Sequence, residues 1–98
     1  MKLQMHSIKF DADSKLLDVI QKKMDKLETF FDRVIDGEVY LRLNNEGIKN
    51  KTVEIKLNIP GDQLFAEASD KSFEAATDEA TEALRRQLKK FKRKAISH

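Results

Sequence analysis

Seven of the ten residues from Arg85 to Lys94 are basic: Arg85, Arg86, Lys89, Lys90, Lys92, Arg93 and Lys94. Ammonium and guanidinium groups packed this closely, with no acid among them, are suited to holding anions rather than to moving protons. The segment after Glu82 carries +7, whereas residues 1–82 hold 12 basic and 17 acidic side chains, a net of −5, so the overall charge of +2 conceals a strong polarity. A solvated helix face ordinarily mixes both signs, and this one does not. A polyanion is therefore the leading candidate for a partner.

Nothing comparable points to catalysis. The chain has no cysteine, which excludes disulfides, thiolate metal sites and a Cys nucleophile. His6 and His98 are far apart and share no ligand spacing. The carboxylates are spread over positions that read as exposed, without the apolar surroundings that raise a pKa. Gly37, Gly47 and Gly61 read as turn residues between strands, not as a phosphate-cradling loop. The expectation is a protein that is not an enzyme and uses no metal, cofactor or small-molecule substrate. Residues 1–10 are too few and too polar for a signal segment, and no apolar run approaches a membrane span, so a cytoplasmic location without a membrane partner is expected.

The 98 residues suit one domain, 1–98, with 95–98 expected as a frayed tail. Leu3 and Met5 alternate with polar neighbours as in a short strand, and the phase is lost at Ser7, which suggests a strand end or bulge. Asp11 or Asp13 is placed to cap a helix whose stripe is Leu17, Ile20, Met24, Leu27, Phe31 and Val34. Asp36-Gly37 stops that run. Three strands follow: Val39, Leu41 and Leu43 share a face; Val53, Ile55, Leu57 and Ile59 alternate without a break; and Leu64, Ala66 and Ala68 continue after Pro60-Gly61, a pair suited to a type II turn. Residues 44–51 read as a polar loop. The last helix is expected to start near Asp70 as N-cap, with Phe73, Ala76, Ala80, Leu84, Leu88 and Phe91 repeating every 3.6 residues.

The order β-α-β-β-β-α defines an α+β fold. Its first strand pair is parallel across a helical crossover, two antiparallel hairpins follow, and both helices pack on one face of a four-stranded mixed sheet. The other sheet face would show Tyr40 and Phe65 among Glu38, Glu54 and Glu67, and three carboxylates repel a phosphate backbone. The helical side is better placed. Lys15, Lys22, Lys26 and Arg33, with Lys23 beside them, would join the basic end of the second helix in one positive surface. Such a surface holds folded RNA by shape and charge.

Two stretches carry a resemblance. Lys23 to Arg33, KMDKLETFFDR, resembles the K-x-x-K-L-E-x-x-F-D-R end of the first helix in the ribosome hibernation-promoting factors, also known as ribosome-associated inhibitor or sigma-54 modulation proteins. Ala75 to Asp78 (AATD), followed by Arg86 to Lys92 (RQLKKFK), resembles the A-A-I-D … R-Q-L-x-K-x-K signature of their second helix. The resemblance spans essentially the whole chain. It implies a domain seated in the decoding channel of the small ribosomal subunit, touching 16S rRNA where mRNA and tRNA bind. Such a factor would silence translation and help store ribosomes under starvation. The matching positions imply rRNA contact by Lys23, Lys26, Arg86, Lys90 and Lys92. Charge alone adds Lys89, Arg93 and Lys94, with Lys22, Arg33 and Arg85 as further contacts. Two positions depart from the pattern: Ala83 stands where lysine is frequent, and Glu74 replaces an aromatic. Ending at His98, the chain resembles the short form, without the long form's C-terminal dimerisation domain, and is expected to be monomeric off the ribosome.

Two rivals share the gross pattern. A double-stranded RNA-binding domain also reads α-β-β-β-α, but it carries its lysines at the start of the second helix, where Asp70 and Glu74 stand here. A basic-helix module docking on an acidic protein or a membrane surface would need free apolar anchors, for which Phe91 and Ile96 are the spare candidates.

Overall fold

The structure is a computed structural model that describes the backbone of residues 1–44 and 47–96 and the side chains of those residues through Arg93. The elements are β1 (Leu3–Ile8), α1 (Ser14–Phe30), β2 (Asp36–Leu43), β3 (Lys51–Ile59), β4 (Asp62–Asp70) and α2 (Phe73–Ile96). The sheet order is β1-β2-β3-β4, with β1 parallel to β2 and the other pairs antiparallel. Both helices cover one sheet face. Ile20, Met24 and Leu27 of α1 share a single core with Val39, Ile55 and Leu57 of the sheet and with Leu84 and Leu88 of α2. The expected fold is the observed one.

Several local expectations are corrected. The ladder between β1 and β2 runs unbroken from Leu3 to Ile8, so Ser7 is neither a bulge nor a strand end. The turn comes at Lys9, whose φ of 70° lies in the left-handed region that a side chain disfavours. That turn brings Phe10 back to the core side, where its ring stacks on Phe73 with centroids 4.9 Å apart. Gly37 is not a turn residue. It lies in β2 opposite Leu3 and Leu57, and a Cβ there would stand 2.9 Å from Leu3 Cδ2. The glycine is needed for that close approach, not for its φ. Gly61 does behave as read, with φ 78° in the two-residue connection of β3 to β4.

Asp13 is the cap of α1, its Oδ1 accepting the Leu16 N–H at 2.8 Å. The helix ends at Phe30. Phe31 is extended and still donates its N–H to Leu27 O, so the apolar stripe outlasts the helix that began it. The first residue's amino group sits 2.7 Å from Glu28 and 2.9 Å from Asp25, contacts that raise its pKa and lower that of Asp25.

The cap of α2 is Ser72 rather than Asp70. Ser72 Oγ accepts the Ala75 N–H at 3.0 Å, while Asp70 is the last residue of β4, paired with Lys51. Ser72→Ala should therefore cost about 1 kcal/mol, seen as a fall of about 4–8 °C in the thermal midpoint followed by circular dichroism. The polar loop read at residues 44–51 ends where β3 starts at Lys51, and its residues 45 and 46 lie outside the described part. The helix continues to Ile96, so the first two residues of the tail expected at 95–98 are helical, and residues 97–98 lie outside the described residues.

Candidate nucleic-acid interface

The two helices run side by side in the same direction. Lys23 meets Asp78, Phe30 meets Arg85 and Lys92, and Phe31 meets Phe91, so positions advance together along both. With 17 residues in α1 and 24 in α2, a rise of 1.5 Å per residue gives lengths of roughly 26 and 36 Å. The basic half of α2 thus flanks, and then passes, the C-terminal end of α1. It is anchored from below by Leu84 and Leu88, both fully buried, and by Phe91 edge-on to Phe31 with centroids 5.6 Å apart.

The cations fall into two groups. Arg86, Lys89, Lys90 and Arg93 are exposed, and among the described residues no carboxylate lies within ion-pairing distance of any of them. Lys22 and Lys26 are likewise exposed on α1. The others have partners inside the molecule. Lys23 Nζ lies 2.6 Å from Asp78 and 4.0 Å from Glu74, tying α1 to α2. Lys92 is half-buried, its Nζ 3.2 Å from the carbonyl of Phe30 and 4.5 Å from the centre of that ring. Arg85 stands over the same ring at 4.9 Å, and Arg33, beyond the end of α1, lies over Phe31 at 5.2 Å and Phe91 at 5.9 Å. The side chain of Lys94 lies outside the described residues.

Charge on α2 is segregated along its length. Glu74, Asp78, Glu79 and Glu82 occupy the first half, and every described charged residue after them is basic. Acids near a helix N-terminus and bases near its C-terminus favour the macrodipole. That effect fades within the terminal turn, whereas the basic run begins three turns before Ile96. The helix dipole therefore explains only the last of these cations.

Phe30 was missed by sequence reasoning because only one phenylalanine of the Phe30-Phe31 pair fits the apolar stripe. A bulky aromatic off-register at a helix end was the available signal. Phe91, read as a spare anchor, is packed on Phe31, which removes one of the two apolar groups that a membrane-docking helix would need. No helix among the described residues is long and apolar enough to cross a membrane.

The outer sheet face pairs its polar and aromatic groups with one another. Tyr40 stacks on His6 with centroids 4.8 Å apart and donates to Glu38, whose acceptance raises the pKa of the phenol. Arg42 pairs with Glu54, and Lys56 lies 5.6 Å from the centre of the Tyr40 ring. Phe65 is the exposed aromatic of this face, and its carbonyl, on the β4 edge, accepts from Gln87 of α2.

Comparison with known proteins adds four findings. The family model described as sigma 54 modulation protein / S30EA ribosomal protein matches residues 3–96. A ribosome hibernation promotion factor of Deinococcus radiodurans is 31% identical over 93 residues, covering 91% of this chain and 48% of that protein. A ribosome hibernation promoting factor of Pseudomonas putida is 31% identical over 97 residues, covering 99% of this chain and 92% of that one. The chain thus spans about half of the first relative and nearly all of the second. Among solved structures, a ribosomal subunit interface protein from Coxiella burnetii superposes with a TM-score of 0.85 at 24% identity, covering 94% of this chain and 98% of that one, a likeness of fold.

Proposed function

From the premise that this chain belongs to the sigma 54 modulation protein / S30EA ribosomal protein family, that of the ribosome hibernation factors, we propose that it is a non-catalytic factor that binds the small ribosomal subunit. In this reading residues 1–98 form one ribosome-binding domain acting in the cytoplasm. It occupies the channel used by mRNA and tRNA, holds 16S rRNA by its phosphates, and thereby inhibits translation and promotes hibernation. The observation that carries it is the set of exposed cations on α2, Arg86, Lys89, Lys90 and Arg93, without carboxylate partners among the described residues and on a helix whose opposite side is locked into the core. Lys26 and Lys22 of α1 extend the set, and Lys94 continues it in sequence. Lys23, Lys92, Arg85 and Arg33 belong to the same surface, with their intramolecular contacts fixing where their charges stand. A double-stranded RNA-binding domain fits less well, because the first turn of α2 carries Glu74 and Lys23 is already paired with Asp78.

Purified small subunits mixed with the protein and sedimented through sucrose should carry it down at low salt. If about five to seven phosphates are engaged, log K should fall against log salt with a slope of roughly −3.5 to −6. A protein that stays at the top of the gradient, or a binding constant indifferent to salt, would overturn the proposal.

A further inference from the structure

We propose that Phe30 is a positioning residue: its ring holds Arg85 and Lys92 as a two-cation receptor for RNA phosphodiesters at the edge of the groove between α1 and α2. The inference rests on the function proposed above and specifies how part of that surface is built.

The stripe that docks α1 is Ile20, Met24, Leu27 and Phe31, and Phe30 lies one residue outside it. Its ring is half-buried against α2 instead. Arg85 and Lys92 stand two turns apart on α2, with Cζ and Nζ 4.9 and 4.5 Å from the ring centre, both within the reach of a cation–π contact. One aromatic therefore gathers two like charges to within about a nanometre of each other. Lys92 also donates to the Phe30 carbonyl at 3.2 Å, at the negative end of α1. That bond uses one of three ammonium donors and leaves the others for an incoming oxygen. A guanidinium lying over a ring keeps its in-plane N–H groups available at its edge.

Glu82 lines the same groove, yet among the described residues no carboxylate is within ion-pairing distance of Arg85 or Lys92. The pair is thus held close without internal neutralisation, and a phosphate would relieve its repulsion. Long basic side chains ordinarily lose rotamer freedom on binding. Here much of that ordering is already done by the ring, so less is lost when the phosphate arrives.

Phe30→Leu keeps an apolar side chain but removes the aromatic face, while Phe30→Tyr keeps the face. In the free wild-type protein, the side-chain methylene protons of Arg85 and Lys92 should be shifted upfield by the ring. In Phe30→Leu they should return to ordinary values, and affinity for purified small subunits should fall about five- to twentyfold. Phe30→Tyr should retain both properties. If Phe30→Leu binds like wild type, or if Phe30→Tyr loses as much as Phe30→Leu, the positioning role is refuted while the ribosome reading stands. If wild type itself fails to bind small subunits, the functional reading falls instead.

Discussion

Replacing Lys89, Lys90 and Arg93 together by glutamate is expected to weaken binding to small subunits by about a thousandfold or more while leaving the domain folded. Each reversal removes one attraction to phosphate and adds one repulsion. A unit charge pair at contact distance in a watery environment is worth about 1 kcal/mol. Three reversals therefore amount to several kcal/mol, and each 1.4 kcal/mol is a factor of ten. The salt slope should also become shallower by roughly 2 to 3, the share of three phosphate contacts.

The cost to the fold should be small. All three side chains are exposed, none enters an ion pair among the described residues, and glutamate is a good helix former. Acids near a helix C-terminus oppose its dipole, which costs about 0.3–1 kcal/mol for the one placed in the last turn. Sedimentation at moderate salt beside a thermal melt separates the two effects. Co-sedimentation that survives the triple substitution would mean that this face is not the one that meets the ribosome.

The fold was legible where side chains obey one period without exception. Val53 to Ile59 alternate strictly because β3 is central, bonded on both sides and buried on one face. The stripe from Phe73 to Leu88 repeats every 3.6 residues because α2 is buried along one side over that whole stretch. What the sequence did not disclose depended on a neighbour distant in the chain. Gly37 looks like a helix stop until Leu3 is placed against it. Lys9 adopts φ 70° because Phe10 must reach Phe73. Asp70 reads as the cap of α2 in the sequence, and the length of β4, which takes in Asp70, moves the cap to Ser72.

The interface shows the same division. That the end of α2 is positive is evident from the absence of any acid after Glu82. Which cations are free to meet a phosphate is a tertiary property. Lys23 and Lys90 look equivalent in a motif, but one is paired with Asp78 and the other stands exposed.

Leu88→Ala is expected to be the most damaging single truncation for this surface. Leu88 is fully buried, and a Leu→Ala change at such a site costs about 2.7–5 kcal/mol, the transfer loss plus the cavity left behind. A small domain has only about 5–15 kcal/mol in hand. The thermal midpoint should fall by more than about 10 °C, and the denaturant midpoint should fall with it. The position on α2 gives the substitution a second consequence. Beyond Leu84 the described apolar contacts of the cationic half are Leu88 in the core and Phe91 on Phe31, of which Leu88 is the deeper, beside the hydrogen bonds of Gln87 to Phe65 and Lys92 to Phe30. Loosening it should let the end of α2 open without unfolding the sheet. Amide exchange over residues 85–96 should then rise more than exchange in β2 and β3, and ribosome affinity should fall although no charge has changed. Uniform loss of protection, or a cost below about 1 kcal/mol, would mean that the basic end of α2 is held by something other than Leu88. Lys89→Ala, one residue away and exposed, should stay within about 0.5 kcal/mol of wild type in stability, because a surface side chain leaves no cavity.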